Sequence, residues 1–182
     1  IYTLSLHDAL PIWQLVSRSG IGVYRNSNGN IDGDRSVMPA YYPHTLFKKT
    51  GELWDFSRYQ PDVVCINLGT NDTTLPKYRT DLLTKAFCQF LRDVRDHYPN
   101  AKIVLLTGTM LKAGSQRLTD LKQAEDDAMA DAHRRGDNEV YRFDFTPADG
   151  SLGWGTHKHP SMRQHEQMAE ELTAYLQHLM NW

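Results

Sequence analysis

The chain has 182 residues, 40% of them hydrophobic, and a formal net charge of -2. That length suits one domain with a substantial core and leaves little room for a second. The near-neutral balance gives no electrostatic argument for nucleic acid or an anionic membrane surface. No apolar stretch approaches the roughly 18 residues that a membrane span needs.

In chain order, residues 1–12 read unlike evolved protein: "SLHDALPI" looks like a translated sequencing adapter, so this segment is expected to be non-native. "WQLVSRSG" then predicts a strand ending at Gly20. The stretch from Tyr24 to Thr50 is long, rich in Asn, Gly and Asp, and aromatic at Tyr41 and Tyr42, which predicts a functional loop. Within it "NGNIDGD" mimics a calcium loop through Asn28, Asn30 and Asp32. Pro39 stands where a bidentate Glu is required, so an EF-hand is rejected.

Val63 to Leu68 is continuously apolar apart from Asn67, as a central parallel strand covered on both faces should be. Leu82, Leu83, Ala86, Phe87, Phe90, Leu91 and Val94 recur at helical spacing and predict a helix over Thr80 to His97, closed by Pro99. Ile103 to Leu106 is a second buried strand. A more polar helix, Leu118 to Arg134, carries Leu121, Ala124, Ala128, Met129 and Ala132 on its apolar stripe. "EVYRFDF", Glu139 to Phe145, alternates and predicts a third strand nearer an edge. The last helix, Met162 to Leu179, should turn Met168, Leu172, Tyr175, Leu176 and Leu179 inward, and Ser161 with Gln164 forms an S-x-x-Q capping box at its start. Cys65 and Cys88 form no CxxC and are expected to be small buried hydrophobes. The β-α-β-α-β-α alternation predicts an α/β fold: a parallel sheet between helices.

In such sheets ligands gather outside the carboxyl ends of the strands. That edge would hold Gly20, Gly69 to Asp72, Thr107 to Met110, and the loop bearing "GWGTHKHPS". Asn71 there could aim an amide N–H at a developing oxyanion, or "TND" could be a turn bonded to its own backbone. His159, ahead of Pro160 and a capped helix, could be a general base or an ordinary loop histidine. His157, His159 and His165 invite a metal reading, but no HExxH or helpfully spaced carboxylate accompanies them, so no metal or cofactor is implied. Tyr24 and Trp154 are candidate substrate-binding aromatics, while Trp54 is expected in the core.

Together these motifs resemble the SGNH (GDSL-type) hydrolase superfamily. "GTND" looks like its third block, whose Asn is an oxyanion-hole donor; "HPS" looks like the fifth, with the catalytic base; "SRSG" looks like the second, whose glycine offers a backbone N–H. The strings "RSGIGVYRN", "WDFSRYQPDVVCINLGTND" and "HPSMRQHEQMAEELTAYL" are similar to carbohydrate esterase family two, acetyl esterases acting on plant polysaccharides. The resemblance covers roughly residues 13–180. It implies a three-layer αβα, flavodoxin-like fold lacking its first strand, with residues 13–182 as the catalytic domain. Catalysis would rest on His159 as base and on Asn71 and the Gly20 N–H as oxyanion donors. Asp72 reads as a turn-former supporting its loop.

Two departures stand out. The family's nucleophile lies in a Gly-Asp-Ser block several tens of residues upstream, and no such block is present; Ser5 is 15 positions before Gly20. The family's Asp three residues before the base is Thr156 here. Ser–His dyads of family two use a backbone carbonyl instead, expected around Gly153 to Gly155, with Asp149 as the side-chain alternative. The resemblance implies a metal-free, monomeric, exported bacterial esterase that removes acetyl groups from sugars, preceded by a β-sandwich, with this chain alone inactive. The alternatives are a non-catalytic carbohydrate-binding domain and an acyl-hydrolase acting on another ester such as a lipid.

Overall fold

The computed structural model describes residues 12–45 and 51–182. The readings of residues 1–11, and of Ser5 among them, lie outside the described residues. Three strands form a parallel sheet in the order β1 (Val63–Ile66), β2 (Lys102–Thr107), β3 (Val140–Asp144). Val63 pairs with Lys102 and Ile66 with Leu105, while Ile103 pairs with Val140 and Thr107 with Asp144. A short helix α1 (Met38–Tyr41) precedes the sheet, and α2 (Thr80–His97), α3 (Gln116–Arg134) and α4 (Met162–Met180) follow β1, β2 and β3 in turn.

The period of two along β2 decides which helix covers which face. Ile103 and Leu105, both 0% exposed, join Leu83, Phe87, Leu91, Val94, Leu121 and Ala128 from α2 and α3 in the larger core. Val104 and Leu106 point the other way, to Phe145 and the α4 side chains Met168, Leu172, Tyr175, Leu176 and Leu179. Each fully buried side chain of this size contributes roughly 1.5–3 kcal/mol relative to exposure. The result is the expected three-layer α/β arrangement. The ends of α3 and α4 follow from local chemistry: Ser115 accepts from the Leu118 N–H, and Ser161 from the Gln164 N–H. Asn181 closes α4 in the left-handed conformation.

Two expectations about burial are corrected. The strand covered on both faces is β2, not β1. Cys65 and Asn67, on the outward side of β1, are exposed because α4 sits over Val104 and Leu106 and no described element extends the layer across β1. Cys65 is therefore not a core residue, and Cys88 is half-buried. The segment "WQLVSRSG" is not a strand: residues 12–18 run without a ladder partner, tethered by the Tyr59 hydroxyl on the Ile12 carbonyl at 2.7 Å. Trp13 and Leu15 are 60% and 73% exposed. This segment faces β1 across a groove of about 590 Å3 floored by Met38, Tyr42, Phe90 and Tyr98. An apolar sequence becomes a strand only when a neighbour satisfies its N–H and C=O groups, and none of the described residues does so here.

Among the buried ionisable side chains is one in α3 that its sequence did not announce. Glu125, 0% exposed, lies within the apolar stripe of α3. Its Oε2 accepts from the Thr107 hydroxyl at 2.5 Å, and its Oε1 has no hydrogen-bond partner among the described residues. Burial pushes this carboxyl up to about 8 against the pull of the Thr107 bond, so it is mostly protonated at neutral pH.

Candidate active site

The loops after the strands converge at their carboxyl ends. Phe145 donates its N–H to Thr107 O at 3.1 Å and Ala148 to Thr109 O at 2.9 Å, so the loop after β3 runs along the loop after β2. A side chain at Gly108 would meet the Asn67 Oδ1 at 2.9 Å, which keeps the loop after β2 close to the end of β1.

Asn71 is half-buried in the turn after β1, and its Nδ2 donates to the Ile21 carbonyl at 2.7 Å. This bond joins positions 50 apart in sequence and ties the turn after β1 to the segment that follows Gly20. It uses one of the two amide N–H groups and leaves the other for a ligand. Gly20 has φ +74, a left-handed backbone that a larger residue adopts only with strain, and its carbonyl accepts from the Ser27 N–H at 2.9 Å. Asn71 is thus tied to the residue that follows Gly20.

His159 is exposed, and its geometry comes from a tight ring of backbone. Thr156–Lys158 forms one 3-10 turn in which His157 and Lys158 both take positive φ, 54 and 59. Consecutive left-handed residues with side chains cost about 1–2 kcal/mol each. The ring is closed by Gly155 N–H to His159 O at 2.8 Å and by His159 N–H to Thr156 O at 3.1 Å. The His159 Nδ1 also lies 2.8 Å from Thr156 O. A carbonyl oxygen can only accept, so Nδ1 carries the proton and Nε2 is the free lone pair, the tautomer a general base needs. The orienter is thus a backbone carbonyl, one residue beyond the expected Gly153–Gly155 range. Asp149 takes no part: its carboxylate accepts from the Ser151 N–H at 2.8 Å, and that bonding with Ser151 holds it below the usual carboxylate range.

No hydrogen bond among the described residues joins His159 to Asn71, Gly20 or a serine hydroxyl. Ser161, two residues on, donates to Leu152 O at 2.8 Å and caps α4. Trp154 is 46% exposed; its ring lies against Gly150, and its backbone bridges to Pro160, the residue after His159. Tyr24 is corrected. It is 6% exposed, its hydroxyl accepts from the Arg79 N–H at 3.1 Å, and it belongs to the core rather than a ligand wall. The Asn/Gly loop is self-bonded rather than metal-shaped: Asp34 accepts from the N–H groups of Asn26 and Asn30, and Asn30 from that of Asp32. Sequence reasoning missed the role of Asp72, whose partners lie 47–49 positions away.

A parallel α/β sheet with an amide donor and a carbonyl-oriented histidine at its carboxyl edge matches a known class. The chain belongs to the GDSL-like lipase/acylhydrolase family, whose model matches residues 9–173. Within it, the chain is 36% identical over 92% of its length to the cellulase/esterase CelE of Acetivibrio thermocellus, covering 20% of that protein. It is 33% identical to an acetylxylan esterase/glucomannan deacetylase of Cellvibrio japonicus, over 93% of this chain and 45% of that one. Among solved structures, a family two carbohydrate esterase from Clostridium thermocellum in complex with cellohexaose superposes with a TM-score of 0.82 at 36% identity, covering 90% of this chain and 48% of that one. A family two carbohydrate esterase from Cellvibrio japonicus gives 0.76 at 29% identity, covering 90% and 46%. The chain therefore spans less than half the length of these relatives.

Proposed function

We propose that this domain serves an esterase that removes acetyl groups from carbohydrate hydroxyls by a serine–histidine mechanism. His159 is the base, and Asn71 and the Gly20 N–H are the oxyanion donors. The observation that carries the reading is the 2.7 Å bond from Asn71 to the carbonyl of Ile21, the residue after Gly20, which supports a site shared by the two candidate donors. A serine Oγ attacks the acetyl carbonyl carbon while His159 Nε2 takes its proton. The Asn71 and Gly20 N–H groups hold the tetrahedral oxyanion, an effect worth about 3–4 kcal/mol per donor. Collapse breaks the bond to the sugar oxygen, which leaves with the proton from His159. Water then repeats the sequence on the acyl-enzyme and releases acetate.

No described serine is bonded to His159, so the nucleophile in this proposal comes from polypeptide outside the described residues. Polysaccharide substrates lie outside the cell, so the protein is proposed to be exported. No described helix is long and apolar enough to cross a membrane.

The test uses protein carrying its native upstream sequence. His159→Ala should cut 4-nitrophenyl acetate hydrolysis by about 10³-fold or more, and Asn71→Ala should lower kcat by about 10²–10³-fold. Activity retained in His159→Ala would overturn the assignment of the base. A second reading, sugar binding without turnover, draws on the exposed Trp154 ring and on the cellohexaose complex of the Clostridium thermocellum relative. Cellohexaose binding with no acetate release from acetylated xylan would favour it. A lipid ester is less favoured, because the polar loop near the site is occupied by its own Asn and Asp hydrogen bonds.

A further inference from the structure

Asn71 and Asp72 are adjacent, yet their side chains serve different partners. The Asn71 amide reaches the Ile21 carbonyl. Asp72 is 0% exposed, and its Oδ1 accepts from three successive backbone N–H groups: Val23 at 3.0 Å, Tyr24 at 2.8 Å and Arg25 at 3.0 Å. Its Oδ2 accepts again from Val23 at 3.1 Å. Consecutive amides converging on one oxygen form an anion-binding nest, and here the anion is a side chain from the turn after β1. These three amides have no other acceptor among the described residues.

The grip is returned from the other side. Arg25 is 1% exposed; its Nε donates to the Asp72 carbonyl at 2.8 Å and its Nη1 to the Lys77 carbonyl at 2.8 Å. Gly22 completes the fit, since a Cβ there would stand 2.5 Å from Asp72 Oδ2 and 1.8 Å from the Arg25 carbonyl. The bond from Ser27 N–H to Gly20 O closes residues 20–27 into a ring, and the Asp72 carboxylate fills it. A turn-former bonds its own neighbours; these partners are 47–49 positions away.

We propose that Asp72 is a positioning residue for the oxyanion donors: its carboxylate templates the Ile21–Arg25 loop and so fixes the Gly20 N–H against the Asn71 amide. This rests on the esterase reading above. A carboxylate suits the task where a carboxamide does not, because both its oxygens accept, and an amide would face one backbone N–H with its own N–H2. Bonds to an ionised acceptor are also roughly twice as strong as neutral ones. Burial raises the Asp72 carboxyl, and the N–H groups of Tyr24, Arg25 and Val23 work against that rise.

The test is Asp72→Asn, read in two ways. In protein with its native upstream sequence, kcat on 4-nitrophenyl acetate should fall about 10–100-fold while KM stays within about 2-fold, because the donors act on the transition state. Added to Asn71→Ala, the same change should cost less than about 3-fold more, since both act on one oxyanion site. Full additivity, or unchanged kcat, overturns the proposal. Independently, in the 182-residue chain, Asp72→Asn should speed amide hydrogen exchange at Val23, Tyr24 and Arg25 by about 10²-fold relative to amides of α2. Retained protection there also overturns it. If the wild type turns over no acetyl ester, the esterase reading fails, and the exchange result still decides whether Asp72 holds the loop. Should Asp72→Asn yield no folded protein, Asp72→Ser keeps one acceptor without the opposed N–H and carries the same two readouts.

Discussion

Replacing Glu125 with Gln should remove a specific pH dependence of stability. The side chain is 0% exposed, its one bond is from the Thr107 hydroxyl, and burial lifts its carboxyl from 4.5 to about 8. In the unfolded chain the proton leaves from about pH 4.5 upward, whereas the native state keeps it until about pH 8. The unfolded state therefore binds fewer protons across this window, and native stability falls as pH rises through it. The linkage relation gives a cost of about 1 kcal/mol at pH 5 and about 4 kcal/mol at pH 7.5, a loss of about 3 kcal/mol between them. Gln has the shape of the protonated acid, can still accept from Thr107, and does not titrate. For a chain of this size about 3 kcal/mol corresponds to roughly 6–12 °C in Tm. Thermal denaturation of the wild type and Glu125→Gln at pH 5.0 and 7.5 measures the difference. The variant should gain on the wild type by that amount at the higher pH. Parallel Tm profiles over the whole range would refute the reasoning, because they would mean that Glu125 ionises in the native state as readily as in the unfolded one.

Other outcomes follow from single contacts. Asp149→Asn should leave kcat on 4-nitrophenyl acetate, in protein with its native upstream sequence, within about 2-fold, because the His159 Nδ1 bonds the Thr156 carbonyl and the Asp149 carboxylate bonds Ser151. A fall approaching that of His159→Ala would instead make Asp149 the orienter. Ser161→Ala removes the cap on the Gln164 N–H and the bond to the Leu152 carbonyl. It should cost about 1–2 kcal/mol of stability, seen as a lower urea midpoint with an unchanged m-value.

The sequence by itself determined the alternation of elements, because hydrophobic period is a local property. The helix Thr80–His97 is found with the limits that its apolar spacing predicts, and β1, β2, β3, α3 and α4 differ from theirs by a residue or two at their ends. The Ser161 cap is equally local and equally legible. Apolar character alone could not say which strand is central: "VVCINL" and "KIVLLT" look alike, and only the position of α4 over Val104 and Leu106 leaves Cys65 exposed. Residues 12–18 show the same limit, since a strand depends on its partner as much as on its side chains. Glu125 was partly legible, lying four positions after Leu121 on the stripe that Ala124 and Ala128 continue, but its protonation depends on Thr107 from another element.

The site divides in the same way. Residue types and motif order pointed to Asn71, Gly20 and His159, whereas the tertiary structure decided what orients them. The His159 Nδ1 meets the Thr156 carbonyl because two left-handed residues turn His159 back onto it. Tyr24 became core through its hydroxyl bond to the Arg79 amide. Asp72 changed most, from a local turn residue to the centre of a loop some fifty positions away. A carboxylate's own neighbours can be read from sequence; which distant backbone N–H groups will surround it depends on how the chain returns, and only the fold supplies that.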